Sequence, residues 1–139
     1  MKTEELMIGD LVDFYHPHEP EKKIVTRHRV TEIFECGLVG ISNHPNPVHA
    51  DHIEPIKITP EILEKNGFKM VLDKDKLPTY RIKWTRNPNL YFTVFTGVDG
   101  YWNPAGFGVT IAGVNGVIDY VHQLQHAMKL CGINKEIEL

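Results

Sequence analysis

The segment Thr59-Pro60-Glu61-Ile62-Leu63-Glu64-Lys65-Asn66-Gly67-Phe68 constrains this chain more than any other. A threonine precedes a proline suited to the first turn of a helix, an acid follows where the helix dipole favours it, and a glycine ends the run. The pattern predicts a short helix with Thr59 as N-cap and Gly67 at its end. Phe68 falls where the hydrophobic contact of a Schellman ending belongs. A helix at this point divides the 139 residues into two strand-rich stretches. The expected layout is a small β lobe over 1–58 and an α+β lobe over 59–139, sharing one interface.

In the first stretch Gly9-Asp10 marks a turn before a short strand from Leu11 to Tyr15, and His16-Pro17-His18-Glu19-Pro20 breaks that strand. Lys23 to Phe34 and Leu38 to Ile41 read as two antiparallel strands joined at Cys36-Gly37. Asn43 to Pro47 is a loop, because its two prolines cannot continue a ladder. His52 to Ile58 alternates with period two and reads as an edge strand limited by Pro55. Several short strands in so little chain predict a small bent sheet or an SH3-like barrel.

Beyond the helix, strands are expected at Lys69 to Leu72, Tyr80 to Thr85, Leu90 to Thr96 and Gly106 to Ala112. Turns at Asp73 to Lys76, Asn87 to Asn89 and Val98 to Gly100 separate them, as in an antiparallel meander. The last element starts near Asn115-Gly116 and runs from Val117 to Cys131, where Gly132 stops it. Val117, Val121, Leu124, Met128 and Cys131 form one apolar stripe, so an amphipathic helix is expected across the sheet. The fold class is α+β: an N-terminal small bent sheet or SH3-like barrel, then an antiparallel sheet packed by a C-terminal helix.

With 42% apolar and 24% charged residues the chain has the composition of a folded globular protein, not of a disordered or fibrous one. A formal charge of −3 supplies no global field for nucleic acid or an anionic membrane. The charge is uneven: residues 1–58 hold 6 Lys+Arg against 10 Asp+Glu, and residues 59–139 hold 9 against 8. Six of the eight histidines also lie in the first stretch (His16, His18, His28, His44, His49, His52). No basic start with an apolar run marks a secretion signal, and no apolar stretch reaches the roughly 18 residues that span a bilayer. The expectation is a cytoplasmic protein with no membrane partner. Cys36 and Cys131 lack CxxC spacing and read as small buried hydrophobes, not as a disulfide.

The candidate chemistry lies in three places. His16-x-His18, His49-x-x-His52 and His122-x-x-x-His126, with Asp119 on the same helical face as the last pair, have spacings that suit a histidine-dependent metal enzyme. A solvated helix face and polar loops explain the same residues. No HExxH or cysteine-rich signature is present, so no metal site and no cofactor are assigned. The lone serine, Ser42, has no GxSxG context, and the glycines of 97–100 and 106–108 fit hairpin turns better than a phosphate loop. No catalytic residue is named and the reading leans away from an enzyme.

The second place is the loop Asp99 to Gly106, where Tyr101 and Trp102 stand side by side between turn formers, as recognition aromatics do. Its plain alternative is one ring in the core and one over the sheet edge. The third is Tyr80 to Arg86, where Arg81, Lys83 and Arg86 interleave with Tyr80 and Trp84 and so suit a nucleic-acid backbone. Alternation places Arg81 and Lys83 opposite Tyr80, Ile82 and Trp84, with Arg86 in the next turn, which equally describes a solvated outer face.

Three segments carry a resemblance: Glu4 to Val12, His52 to Ile56 with Thr59 to Phe68, and Tyr120 to Gln125. Together they resemble small uncharacterised proteins encoded by phages and mobile elements of Bacteroidetes-type bacteria. That resemblance implies a phage-associated or cytoplasmic protein of a bacterial host, and it carries over no site residues. The opening Gly-Asp turn and strand are also similar to SH3-like barrels, which bind proteins or nucleic acids. The functional expectation is a non-enzymatic accessory protein acting through a protein partner or as a homo-oligomer. Nucleic-acid binding and a histidine-dependent metal enzyme are the alternatives.

Overall fold

The computed structural model describes residues 1–18, 24–72, 78–83, 91–96, 107–111 and 114–139. The chain divides into two compact units, Met1–Ile56 and Lys57–Leu139. Each carries a five-stranded antiparallel sheet.

The first unit contains β1 (Leu11–Tyr15), β2 (Val25–Ile33), β3 (Leu38–Ile41), β4 (Val48–His49) and β5 (Ile53–Pro55), in the order β4-β3-β2-β1-β5. The turn before β1 forms because Gly9 takes φ +98° and the buried Asp10 carboxylate accepts from Met7 N at 2.7 Å. Gly37, at φ +81°, makes the β2–β3 hairpin in the same way. Pairing shifts between Val30 and Glu32, a bulge that bends the sheet. Glycine suits the position opposite it, since a Cβ on Gly40 would lie 3.0 Å from Thr31 Oγ1 and 3.1 Å from Glu32 Cβ, tight enough that both would have to shift. Val12, Phe14, Val30, Val39, Ile41 and Ile53 fill the core.

The barrel expected as one option is not formed: β4 and β5 are the two edges of an open sheet. β4 has two residues and follows Pro47, too little backbone to close a ring. β5 is an edge strand as expected, but it stops at Pro55, short of Ile58. Cys36 departs from its expected burial; it is exposed because it sits in the hairpin loop, while Cys131 is half-buried, and the two are not joined in a disulfide.

In the second unit α1 (Pro60–Lys65) begins with Thr59 Oγ1 accepting from Ile62 N. It ends in a Schellman motif, with Gly67 N donating to Glu64 O and Phe68 N to Leu63 O, both at 3.1 Å, and Gly67 at φ +85°. Phe68 is buried edge-on to Phe92. The strands β6 (Lys69–Leu72), β7 (Pro78–Lys83), β8 (Tyr91–Thr96), β9 (Phe107–Ile111) and β10 (Val114–Ile118) follow in chain order as a meander. α2 (Val121–Leu130) closes the unit, burying Val121, Leu124, Ala127 and Met128.

The start of the last helix needs correction. Asn115, Gly116 and Val117 belong to β10, paired with β9, and the helix begins only at Val121. Val114, Val117 and Ile118 are β-branched and suit a strand, so the four-residue spacing from Val117 to Val121 was a coincidence of two elements. The helix starts there because Gln123 Oε1 accepts from Asp119 N (2.8 Å) and Tyr120 N (3.2 Å). Its end repeats the α1 motif: Gly132 at φ +69°, with Ile133 N donating to Met128 O at 2.9 Å. The last residues then dock on α1 through Asn66. Its amide donates to Ile62 O (2.8 Å) and Glu138 O (2.7 Å) and accepts from Glu138 N (2.8 Å). No helix among the described residues is long and apolar enough to cross a membrane.

A candidate binding groove on the second sheet

Strand alternation sorts β6–β8 into two faces. Tyr80, Phe92 and Val94 are buried on the inner one. The cross-strand pairs Lys69↔Arg81, Arg81↔Thr93 and Lys83↔Tyr91 place those side chains together on the outer one. No aspartate or glutamate occurs anywhere in these three strands, so the face carries three cations and no internal counter-charge. The Arg81 guanidinium carbon lies over the Tyr91 ring, 4.3 Å from its centroid. At a partly exposed site such a contact is worth about 0.5–1 kcal/mol, a bias toward the ring a few-fold over other rotamers.

These residues line an open groove of about 550 Å³ bounded by Gly67, Lys69, Met70, Val71, Arg81, Ile82, Lys83 and Tyr91. Its volume is within the range of pockets that hold small organic ligands. Beneath it, burial pushes the Tyr80 phenol above its usual value, with Glu64 and Glu61 of α1 adding to the shift. That phenol stays neutral and belongs to the core.

Of the residues singled out from the sequence, Arg81 and Lys83 are thus brought together. Arg86, Trp84, Tyr101 and Trp102 lie outside the described residues. Lys69 and Tyr91 were missed, because they enter through the register of neighbouring strands. The absence of acids from Phe68–Leu72, Pro78–Lys83 and Leu90–Thr96 was the available signal.

The histidines are arranged differently from a metal set. Asp119 precedes the N-cap of α2 and does not share a helical face with His122 and His126. His122 is buried, contrary to the solvated face expected, and stacks on Tyr120, with His126 edge-on to it. His49 accepts from Asp51 N and packs edge-on to His52. His16, His28 and His44 surround the buried Phe14 ring at 4.7, 6.1 and 5.3 Å. A hydrogen-bond chain joins two of them, His16 and His28: His16 Nε2 to Thr26 Oγ1 (2.9 Å), Thr26 Oγ1 to His28 Nε2 (2.6 Å), and His28 Nδ1 to the Ser42 carbonyl. Among the described residues no three His, Cys, Asp or Glu side chains converge as a metal-binding group.

Within the first sheet, Asp13 pairs across strands with Arg27 and Glu54. Burial raises its carboxyl above 3.8, opposed by Arg27 and reinforced by Glu54. Its Oδ1 is 3.4 Å from Arg27 Nε, a charge contact without hydrogen-bond alignment. These groups brace the sheet and face no cavity described here. No protein family, curated protein or solved structure matches the chain, so the groove's own chemistry carries the functional argument.

Proposed function

We propose that the protein is a non-enzymatic binding module whose second unit holds single-stranded nucleic acid across β6–β8. One observation carries this reading: Lys69, Arg81 and Lys83 share a carboxylate-free face with Tyr91, and Arg81 is already stacked on that ring. Cations beside an aromatic platform meet the two needs of a single strand, phosphate neutralisation and base stacking. A duplex hides its base faces and has no use for Tyr91. The net charge of −3 does not oppose this, because the positive charge is local and Lys57–Leu139 holds 10 Lys+Arg against 8 Asp+Glu.

The test is fluorescence anisotropy with labelled dT12 and rU12 at a series of salt concentrations. Three phosphate contacts at about 0.7 each give a log–log salt slope near −2. Arg81→Ala with Lys83→Ala should weaken binding at least tenfold and flatten the slope. Absence of binding by the wild-type protein at low salt would sink the reading.

A further inference from the structure

We infer that β6 is a self-association edge: two copies pair their β6 strands antiparallel about a two-fold axis at Val71, joining two five-stranded sheets into one. The inference does not depend on the nucleic-acid reading. β6 is the last strand of its sheet, and among the described residues it pairs on one side only, with β7. The first sheet guards its edges, since β4 has two residues and β5 ends at Pro55. β6 has neither protection. Its four residues pair with β7 without a bulge, contain no proline and carry one charge, Lys69. Met70 and Leu72 lie on the face of Tyr80, yet they are 50% and 61% exposed. A strand laid along β6 would cover both.

The alternation of β6 itself selects the partner and the register. A two-fold axis perpendicular to the sheet keeps each face on its own side, so residues opposed across it must both be odd-numbered or both even-numbered. Centring the pair on Met70 sets Lys69 against Val71 of the second copy and leaves Leu72 opposite the buried Phe68, outside the strand. Centring it on Val71 sets Met70 against Leu72 of the second copy, twice, and Val71 against its own equivalent. Every opposed pair is then apolar, and the two exposed apolar side chains cover each other. The two Lys69 residues are offset by four positions along the strands, ~13 Å, which exceeds the roughly 8 Å screening length of physiological salt. The one charge of the edge therefore does not oppose the pairing. The same axis leaves both outer faces on one side, so Lys69, Arg81 and Lys83 of each copy share one side of the joined sheet.

Sedimentation velocity from about 10 µM to about 1 mM protein, in about 150 mM salt, tests this, because association of identical chains depends on concentration. Wild type should shift from 15.9 kDa toward twice that mass. Met70→Lys and Leu72→Glu each put a charge into both Met–Leu pairs and should weaken the dimer about tenfold or more. Mixed in equal amounts, the two variants should recover association to within about threefold of wild type, since the mixed dimer has one Lys–Glu pair and one native pair. Both positions are exposed, so each variant keeps the fold, as an unchanged circular dichroism spectrum would verify. A wild type that stays monomeric at the highest concentration overturns the inference and leaves the edge to a strand of another protein. Dimers that withstand both single variants overturn it as well, and weakened variants that do not recover on mixing overturn the Val71 register.

Discussion

The two units share an architecture and differ in what their strands turn outward. Met1–Ile56 holds 5 Lys+Arg against 10 Asp+Glu, whereas Lys57–Leu139 holds 10 against 8. In the first sheet the inward positions include Thr26 and His28 beside Phe14, and the outer row is Arg27, Asp13 and Glu54, one cation against two carboxylates. In the second, aromatic and aliphatic side chains fill the inner face, and Lys69, Arg81 and Lys83 occupy the outer one with no acid in their three strands. Five antiparallel strands thus present a mixed, acid-rich row in one case and an acid-free row of cations in the other. The sheet determines which residues are neighbours, and the alternating sequence determines what those neighbours can bind.

Breaking the comparison is easiest at the first core. Phe14→Ala removes a buried ring and the surface on which three imidazoles pack, and should cost about 3–5 kcal/mol, read as a lower urea midpoint with chemical-shift changes at Thr26 and His28. In the second unit the larger single loss is expected at Asn66→Ala, which removes three hydrogen bonds and leaves the Glu138 backbone without its partner. About 1–3 kcal/mol is expected, with faster amide exchange over residues 133–139. Thr59→Ala removes one capping acceptor and should cost about 1 kcal/mol, seen as faster exchange at Ile62.

The smallest effect sharpens the contrast in electrostatics. Burial raises Asp13 in the folded unit above the 3.8 of the unfolded chain, so the folded form holds its proton more tightly. The associated stability is full below 3.8 and is lost as pH rises through the raised value. Asp13→Asn should therefore gain on wild type as pH increases from about 3 to about 6, measured by urea unfolding at each pH. A gap independent of pH would show that Arg27 cancels the burial.

Where the chain's instructions are local, the sequence could be read directly. β1 and β3 have the expected bounds, because turn glycines and β-branched runs act within a few residues. α1 was legible at both ends for the same reason. β10 was not, since its strand character comes from pairing with β9, and a capping glutamine three residues beyond a tyrosine is a weak local mark. The groove was half legible: alternation placed Arg81 and Lys83 together, but Lys69 and Tyr91 join them only through cross-strand register. Such neighbours are set by tertiary pairing, which one strand's pattern does not contain.

The chain around Phe14 has one further consequence. A carbonyl can only accept, so the contact with Ser42 requires a hydrogen on His28 Nδ1. When the ring is neutral its Nε2 is then a lone pair, the Thr26 hydroxyl must point toward it, and that oxygen in turn takes the hydrogen of His16 Nε2. Two histidines joined by one hydroxyl are thus held in opposite tautomers, and the arrow of donors runs from the solvent side of the sheet inward.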